Sequence, residues 1–196
     1  LPLAFLFQMQ YNTPYLSGKR TDFFMTYYIA QAVGFVGMTL AFISFQQNKR
    51  ERITFLQMLS SMVWTLHFGL LGAYSGMAMN AIGVARGFVY SKKGSAPWAS
   101  RSFWPYLFSV VSAGCCIATW ENWLSLLPTV AMVVTSFGLW VDQPKTVRRL
   151  TLPGSWMWLA YNLVNVSWAG VITECFNTAS IFIAMWRFDR KNAKKT

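Results

Sequence analysis

The sequence predicts an all-α membrane protein, and three observations predict it. The 196 residues are 55% hydrophobic but only 12% charged, about half the charge of an ordinary soluble domain. Apolar runs of about 17–20 residues recur along the chain, the length an α-helix needs to cross a hydrocarbon core of ~30 Å. Basic residues gather between those runs at every second crossing, as cytoplasmic loops of membrane proteins do.

The runs give seven spans, at 27–46, 53–72, 76–91, 102–119, 123–141, 154–170 and 172–188. The first is apolar, contains Gly34 and Gly37 as points of flexibility, and ends before Lys49, Arg50 and Arg52. The second carries a stripe at helical spacing of Gln57, Ser60, Ser61, Trp64 and His67. The third is short and holds Asn80 and Arg86, and Lys92, Lys93 and Arg101 follow it. The fourth is a plain apolar run. The fifth has Pro128 near its start and is followed by Lys145, Arg148 and Arg149. The sixth shows Trp158, Tyr161, Asn162 and Asn165 on one stripe. The seventh, also short, carries Glu174, Asn177 and Thr178 and leads into Arg187, Arg190, Lys191, Lys194 and Lys195. Those loops and the tail hold 14 of the 17 basic residues. Seven alternating crossings put them all on one side, whereas six would strand one cluster. The rule that positive loops stay inside therefore predicts an outside N-terminus and a cytoplasmic C-terminus.

The net charge of +11 has the same origin and does not imply nucleic acid. Cys115, Cys116 and Cys175 lie within apolar segments and read as small buried hydrophobes. No metal-ligand spacing, disulfide framework or nucleophile constellation is visible. The chain is thus expected to be no enzyme and to need no cofactor or metal. Residues 1–24 begin with an apolar stretch too brief to span and continue with polar Gln8–Arg20. They read as an interfacial or added extension.

A repeat organises the rest. Trp64 precedes Asn80 by sixteen residues, and Trp158 precedes Glu174 by sixteen, so the offset is 94 in both cases. Sliding 63–90 onto 157–184 also matches Gly76 to Gly170, Ala85 to Ala179 and Phe88 to Phe182. Two similar three-helix units follow, each offering an aromatic plate and a polar group. An odd number of helices per unit would invert the second copy, and one joining helix restores parallel orientation. The expected plan is therefore 3+1+3: an extension at 1–25, a first triple-helix module at 26–92, a linker at 93–121, a second module at 122–188 and a basic tail at 189–196.

This plan and the Trp64–Asn80 spacing resemble the SWEET and PQ-loop transporters. The runs "AQAVGFVG", "HFGLLGAYSG", "MNAIGVAR" and "SWAGVITECFN" resemble those of YgjV-type bacterial inner membrane proteins over about residues 26–190. The YgjV-type resemblance implies an inner-membrane location and no particular activity. The SWEET-like resemblance implies alternating access around a cavity lined by Trp and Asn pairs. Two features depart from the PQ-loop pattern. The first span ends Gln46-Gln47 without proline, and the second module reads Asp142-Gln143-Pro144 in reversed order. The polar residue of the second module is Glu174 rather than Asn, and a neutral sugar needs no carboxylate.

The candidate solute-binding residues are Trp64, Asn80, Trp158 and Glu174, with Tyr161, Asn162, Asn177 and His67 as further contacts. Indoles within a span can stack on a sugar or heteroaromatic ring, or they can simply fill space. Amides can bind solute or hold helices together. An intramembrane acid such as Glu174 usually lines a pathway or pairs with a base. Arg86 is a candidate for a gating ion pair or for binding an anionic group, with snorkelling to headgroups as its plainer role. The plainer role for His67 is a helix-packing hydrogen bond. The function expected is movement of a small polar, sugar-like solute across the membrane. A vitamin- or nucleoside-like solute, or a non-transporting receptor or assembly protein, is the alternative. The expected partners are that solute and the lipid bilayer, with homo-oligomerisation left open.

Overall fold

A computed structural model describes residues 17–45, 50–141 and 143–186. Among them every regular element is helical. The helices are α1 (Ser17–Phe45), α2 (Arg50–Leu70), α3 (Tyr74–Ser91), α4 (Trp104–Ala118), α5 (Leu126–Trp140), α6 (Pro144–Val164) and α7 (Trp168–Ala184), with a short 3₁₀ turn at Trp123–Ser125 before α5. Expectations about residues 1–16, Gln46-Gln47, Lys49, Asp142 and the basic cluster from Arg187 onwards lie outside the described residues.

The principal contacts trace a circuit. They run from α1 to α2 to α3, from α3 to α5, on through α6 to α7, and from α7 back to α1. Helix α4 packs mainly on α3 and α5. The packing is thus reciprocal: the third helix of each set meets the first helix of the other.

The exterior differs from that of a water-soluble bundle, and the buried set mixes apolar residues such as Phe68 and Met79 with many polar ones. Buried positions include Gln31, Ser60, His67, Ser112, Ser136, Asn162, Ser167 and Thr173, whereas Val110 is 70% and Ile117 78% exposed. An apolar exterior around an interior that shelters hydrogen-bonded polar groups among apolar ones suits a lipid solvent, which cannot satisfy polar groups. Two stretches, Phe24–Ile43 and Trp123–Trp140, are long and apolar enough to cross a membrane by themselves, and Trp104–Ala118 is apolar but shorter. Of the other helices, α2 and α6 carry charged residues in their first turns, and α3 and α7 carry polar ones such as Asn80, Arg86, Glu174 and Asn177.

The turns after α2 and α6 repeat bond for bond. In the first, the N–H groups of Leu71, Gly72 and Ala73 donate to the carbonyls of His67, Gly69 and Phe68. In the second, those of Asn165, Val166 and Ser167 donate to Tyr161, Leu163 and Asn162. Every partner is displaced by 94 residues. Each set is a Schellman closure, whose C′ residue must be left-handed. Gly72 has φ +70° and Val166 has φ +52°. A β-branched residue at positive φ is strained. The carbonyl of Val166 accepts hydrogen bonds from Gln31 Nε2 at 2.9 Å and the Tyr27 hydroxyl at 3.2 Å, which hold the turn against α1.

Four boundaries differ from expectation. Helix α1 starts at Ser17, so the expected break at residue 25 falls within a helix. Helix α6 starts at Pro144, a favoured first position, and so takes in the basic stretch read as a loop. Proline is also tolerated at Pro153 inside it. Helix α6 ends at Val164, not 170, and α7 starts at Trp168, because the turn is closed by Val166 where glycine is the usual signal. Gly34 and Gly37 serve close packing: a Cβ at Gly34 would lie 2.7 Å from the His67 ring, and one at Gly37 3.1 Å from the Trp64 indole.

Candidate functional site

A cavity of about 240 Å³ lies within the circuit. Gln57, Ser60, Ser61, Trp64 and Phe68 line it from α2, and Asn80, Gly83 and Arg86 from α3. Met132, Thr135 and Leu139 face it from α5, Trp158 and Asn162 from α6. Helix α7 adds Gly170, Thr173, Glu174 and Asn177, and α1 adds Ala41. Helix α4 contributes nothing, in keeping with its place outside the circuit. Its size is below that of typical drug-sized pockets, ~300–1,000 Å³, and suits a small metabolite.

Seven candidate residues therefore meet at one cavity: Trp64, Asn80, Arg86, Trp158, Asn162, Glu174 and Asn177. Phe68 stands between the indoles, its ring centroid 5.9 Å from Trp64 and 5.7 Å from Trp158, nearly parallel to the latter. Trp64, Phe68 and Trp158 form an aromatic layer in the lining. From there the lining descends to Ala41, Gln57, Arg86 and Leu139, in the parts of α1, α2, α3 and α5 nearest the basic segments. Neither indole N–H has a hydrogen-bond partner among the described residues, so each remains free to donate.

Tyr161 and His67 are not in the lining. Both are turned into the packing behind the aromatic layer. The Tyr161 hydroxyl oxygen accepts the Gly76 N–H at 3.0 Å. That amide is one of the first four of α3, which have no partner within the helix. His67 is 0% exposed. Its Nδ1 lies 2.6 Å from the Ala30 carbonyl and its Nε2 2.7 Å from Ser167 Oγ. A carbonyl can only accept, so Nδ1 carries the proton and Nε2 accepts from the serine hydroxyl. Ser167 Oγ in turn accepts the Gly170 N–H at 3.3 Å and so caps α7. His67 and Tyr161 are themselves 94 residues apart, and each reaches the N-terminus of the third helix of the opposite set.

Arg86 makes no ion pair among the described residues. Its Nη1 donates to Thr135 Oγ1 at 2.9 Å and Ser136 Oγ at 3.1 Å, and touches Met132 Sδ at 2.9 Å and the Met132 carbonyl at 3.4 Å. These neutral groups of α5 fix the guanidinium inside the bundle rather than at the headgroups. The Glu174 carboxylate accepts hydrogen bonds from the Ser155 side chain and, at a long 3.5 Å, from Asn177 Nδ2. Asn80 Nδ2 donates to its own helix, at the Gly76 carbonyl, 2.9 Å away. The side-chain oxygens of Asn162 and Asn177 are buried without a partner.

Phe68, Met132, Thr135 and Thr173 complete the wall without having been expected there. Phe68 was hidden because its repeat mate is Asn162, a polar residue. Thr135 and Thr173 bond the carbonyl four residues earlier, to Ala131 at 2.7 Å and Ala169 at 2.8 Å, so in sequence they pass for ordinary helix residues. No cluster of His, Cys, Asp or Glu suited to a metal occurs among the described residues.

The family described as Imp-YgjV, bacterial inner membrane protein, matches residues 28–192. The chain is also 25% identical over 173 residues to the inner membrane protein YgjV of Escherichia coli (strain K12), covering 84% of this chain and 88% of that protein. No solved structure matches it significantly. The match across more than half its length makes the chain a member of the Imp-YgjV family of bacterial inner membrane proteins.

Proposed function

We propose that the chain is a seven-span carrier for a small polar solute, built as two parallel triple-helix modules joined by α4. The observation that carries this reading is the cavity between the two sets of helices, with an indole from the matching position of each. The reciprocal α3–α5 and α7–α1 contacts and the duplicated turns support the 3+1+3 plan. Polar stripes serving only as glue between helices would leave no such space, so a purely structural or assembly role is disfavoured. No nucleophile or paired acid stands in the cavity, and we assign it binding rather than catalysis.

The basic residues after α3 and in the first turns of α6 support an orientation with the C-terminus in the cytoplasm. In that orientation the aromatic layer faces outwards, and the cavity extends towards the cytoplasm. Alternating access would follow from rocking one module against the other, which parts the aromatic layer and closes the cytoplasmic end. The indoles would flank the solute while Asn80 and Glu174 bond its polar groups.

Uptake into proteoliposomes, measured across sugars, nucleosides, vitamin-like compounds and amino acids, tests the reading. Saturable uptake of one class, lost on Trp64→Ala while the protein still inserts, is the expected result. The absence of uptake for every class, or undiminished uptake by Trp64→Ala, contradicts it.

A further inference from the structure

The cavity holds one acidic and one basic side chain that do not meet. Arg86 enters from α3 and Glu174 from α7. Among the described residues neither forms an ion pair. All the hydrogen bonds of Arg86 run through Nη1 to neutral groups on α5, which leaves Nε and Nη2 as an unused donor edge. Such an edge matches the two oxygens of a carboxylate. Around Glu174 the wall offers acceptors. Besides its own carboxylate there are the partnerless side-chain oxygens of Asn162 and Asn177, and Asn162 is only 2% exposed. A carboxylate and two partnerless amide oxygens on the adjoining α6 and α7 suit an ammonium group, which has three N–H bonds to place. The two indole faces can cover an apolar body or a cation.

An unpaired charge inside a membrane bundle is costly, and the cost falls when a counter-charge arrives. A neutral sugar would compensate neither group. A cation would leave Arg86 alone, and an anion would leave Glu174 alone. Building on the carrier reading above, we propose that the solute class is a small zwitterion of the amino-acid type, its carboxylate on Arg86 and its ammonium among Glu174, Asn162 and Asn177.

Calorimetric titration of the detergent-purified protein tests this with phenylalanine, leucine and serine as zwitterions. Phenylalaninamide serves as the cation, N-acetylphenylalanine as the anion and glucose as the neutral probe. At least one zwitterion should bind, and the best amino acid should bind about tenfold or more tighter than its own amide and N-acetyl forms. Glu174→Gln should erase the advantage over the N-acetyl form, and Arg86→Gln the advantage over the amide. The comparison of analogues on the unmodified protein decides the matter even where Arg86→Gln fails to fold. Equal binding of the N-acetyl form or the amide overturns the proposal, as does failure of all three amino acids to bind. Glucose binding that depends on Trp64, with no amino acid bound, overturns the zwitterion but leaves the carrier standing. Failure of all six probes, together with no uptake in proteoliposomes, removes both.

Discussion

Tyr161 caps α3 from the far side of the molecule, its hydroxyl oxygen accepting the Gly76 N–H at 3.0 Å. The contact joins the two sets of helices behind the aromatic layer and explains why Gly76 is glycine. A Cβ there would lie 2.8 Å from the Tyr161 ring and 3.0 Å from Phe68.

Removing the hydroxyl should therefore weaken the fold modestly, and crowding the glycine should weaken it more. Tyr161→Phe is expected to cost roughly 0.5–1.5 kcal/mol. Gly76→Ala is expected to cost about 1–3 kcal/mol through overpacking. Thermal unfolding in detergent should rank them wild type, Tyr161→Phe, Gly76→Ala. Equal midpoints for all three would show that the contact contributes nothing.

His67 has both ring nitrogens engaged and lies outside the cavity, so its loss should harm stability without changing solute recognition. His67→Ala leaves the Ala30 carbonyl and the Ser167 hydroxyl short of a partner, at about 1–3 kcal/mol each. The expected result is a lowered melting temperature with unchanged affinity in the protein that remains folded. A selective loss of affinity at full stability would place His67 in the binding site instead.

Val166 should be a stabilising target. Its φ of +52° strains a β-branched side chain, whereas the equivalent Gly72 holds the same turn at no steric cost. Val166→Gly is expected to gain about 1 kcal/mol, the strain released less the extra entropy of glycine. Gly72→Val should lose a comparable amount. Paired melting curves check this, and a destabilised Val166→Gly would mean that the valine side chain contributes more by packing than it costs by strain.

The two indoles should matter together. Trp158→Ala, like Trp64→Ala, is expected to lower uptake at least about fivefold, since stacking contributes roughly 1 kcal/mol or more per plate. Uptake that responds to one indole only would show that the repeat is no longer functionally matched.

Much of this was written in residue types and spacing. The 94-residue offset located both indoles and the polar residues sixteen further on, because the cavity-facing register of a helix leaves a periodic polar stripe. The exposed positions follow the same repeat: Phe88 and Phe182 match in sequence, and each is 49% exposed. What sequence could not supply was direction within a stripe. His67 lies on the same stripe as Trp64, yet the space left by Gly34 turns it towards α1 and α7. Tyr161 is drawn from its stripe by an unpaired amide on α3. The end of α6 was misread because Val166 occupies a position that usually announces itself as glycine.

The central claim, that the interior is a polar cavity while the apolar exterior faces lipid, is tested most directly by thiol labelling. After Cys115, Cys116 and Cys175 are replaced by alanine, single cysteines are placed at Ser61 in the cavity wall and Val110 on the outer face. The protein in inverted membrane vesicles is then treated with a charged, membrane-impermeant methanethiosulfonate. Labelling of Ser61→Cys but not of Val110→Cys is the predicted result. Labelling of Val110→Cys with Ser61→Cys inert would contradict the account.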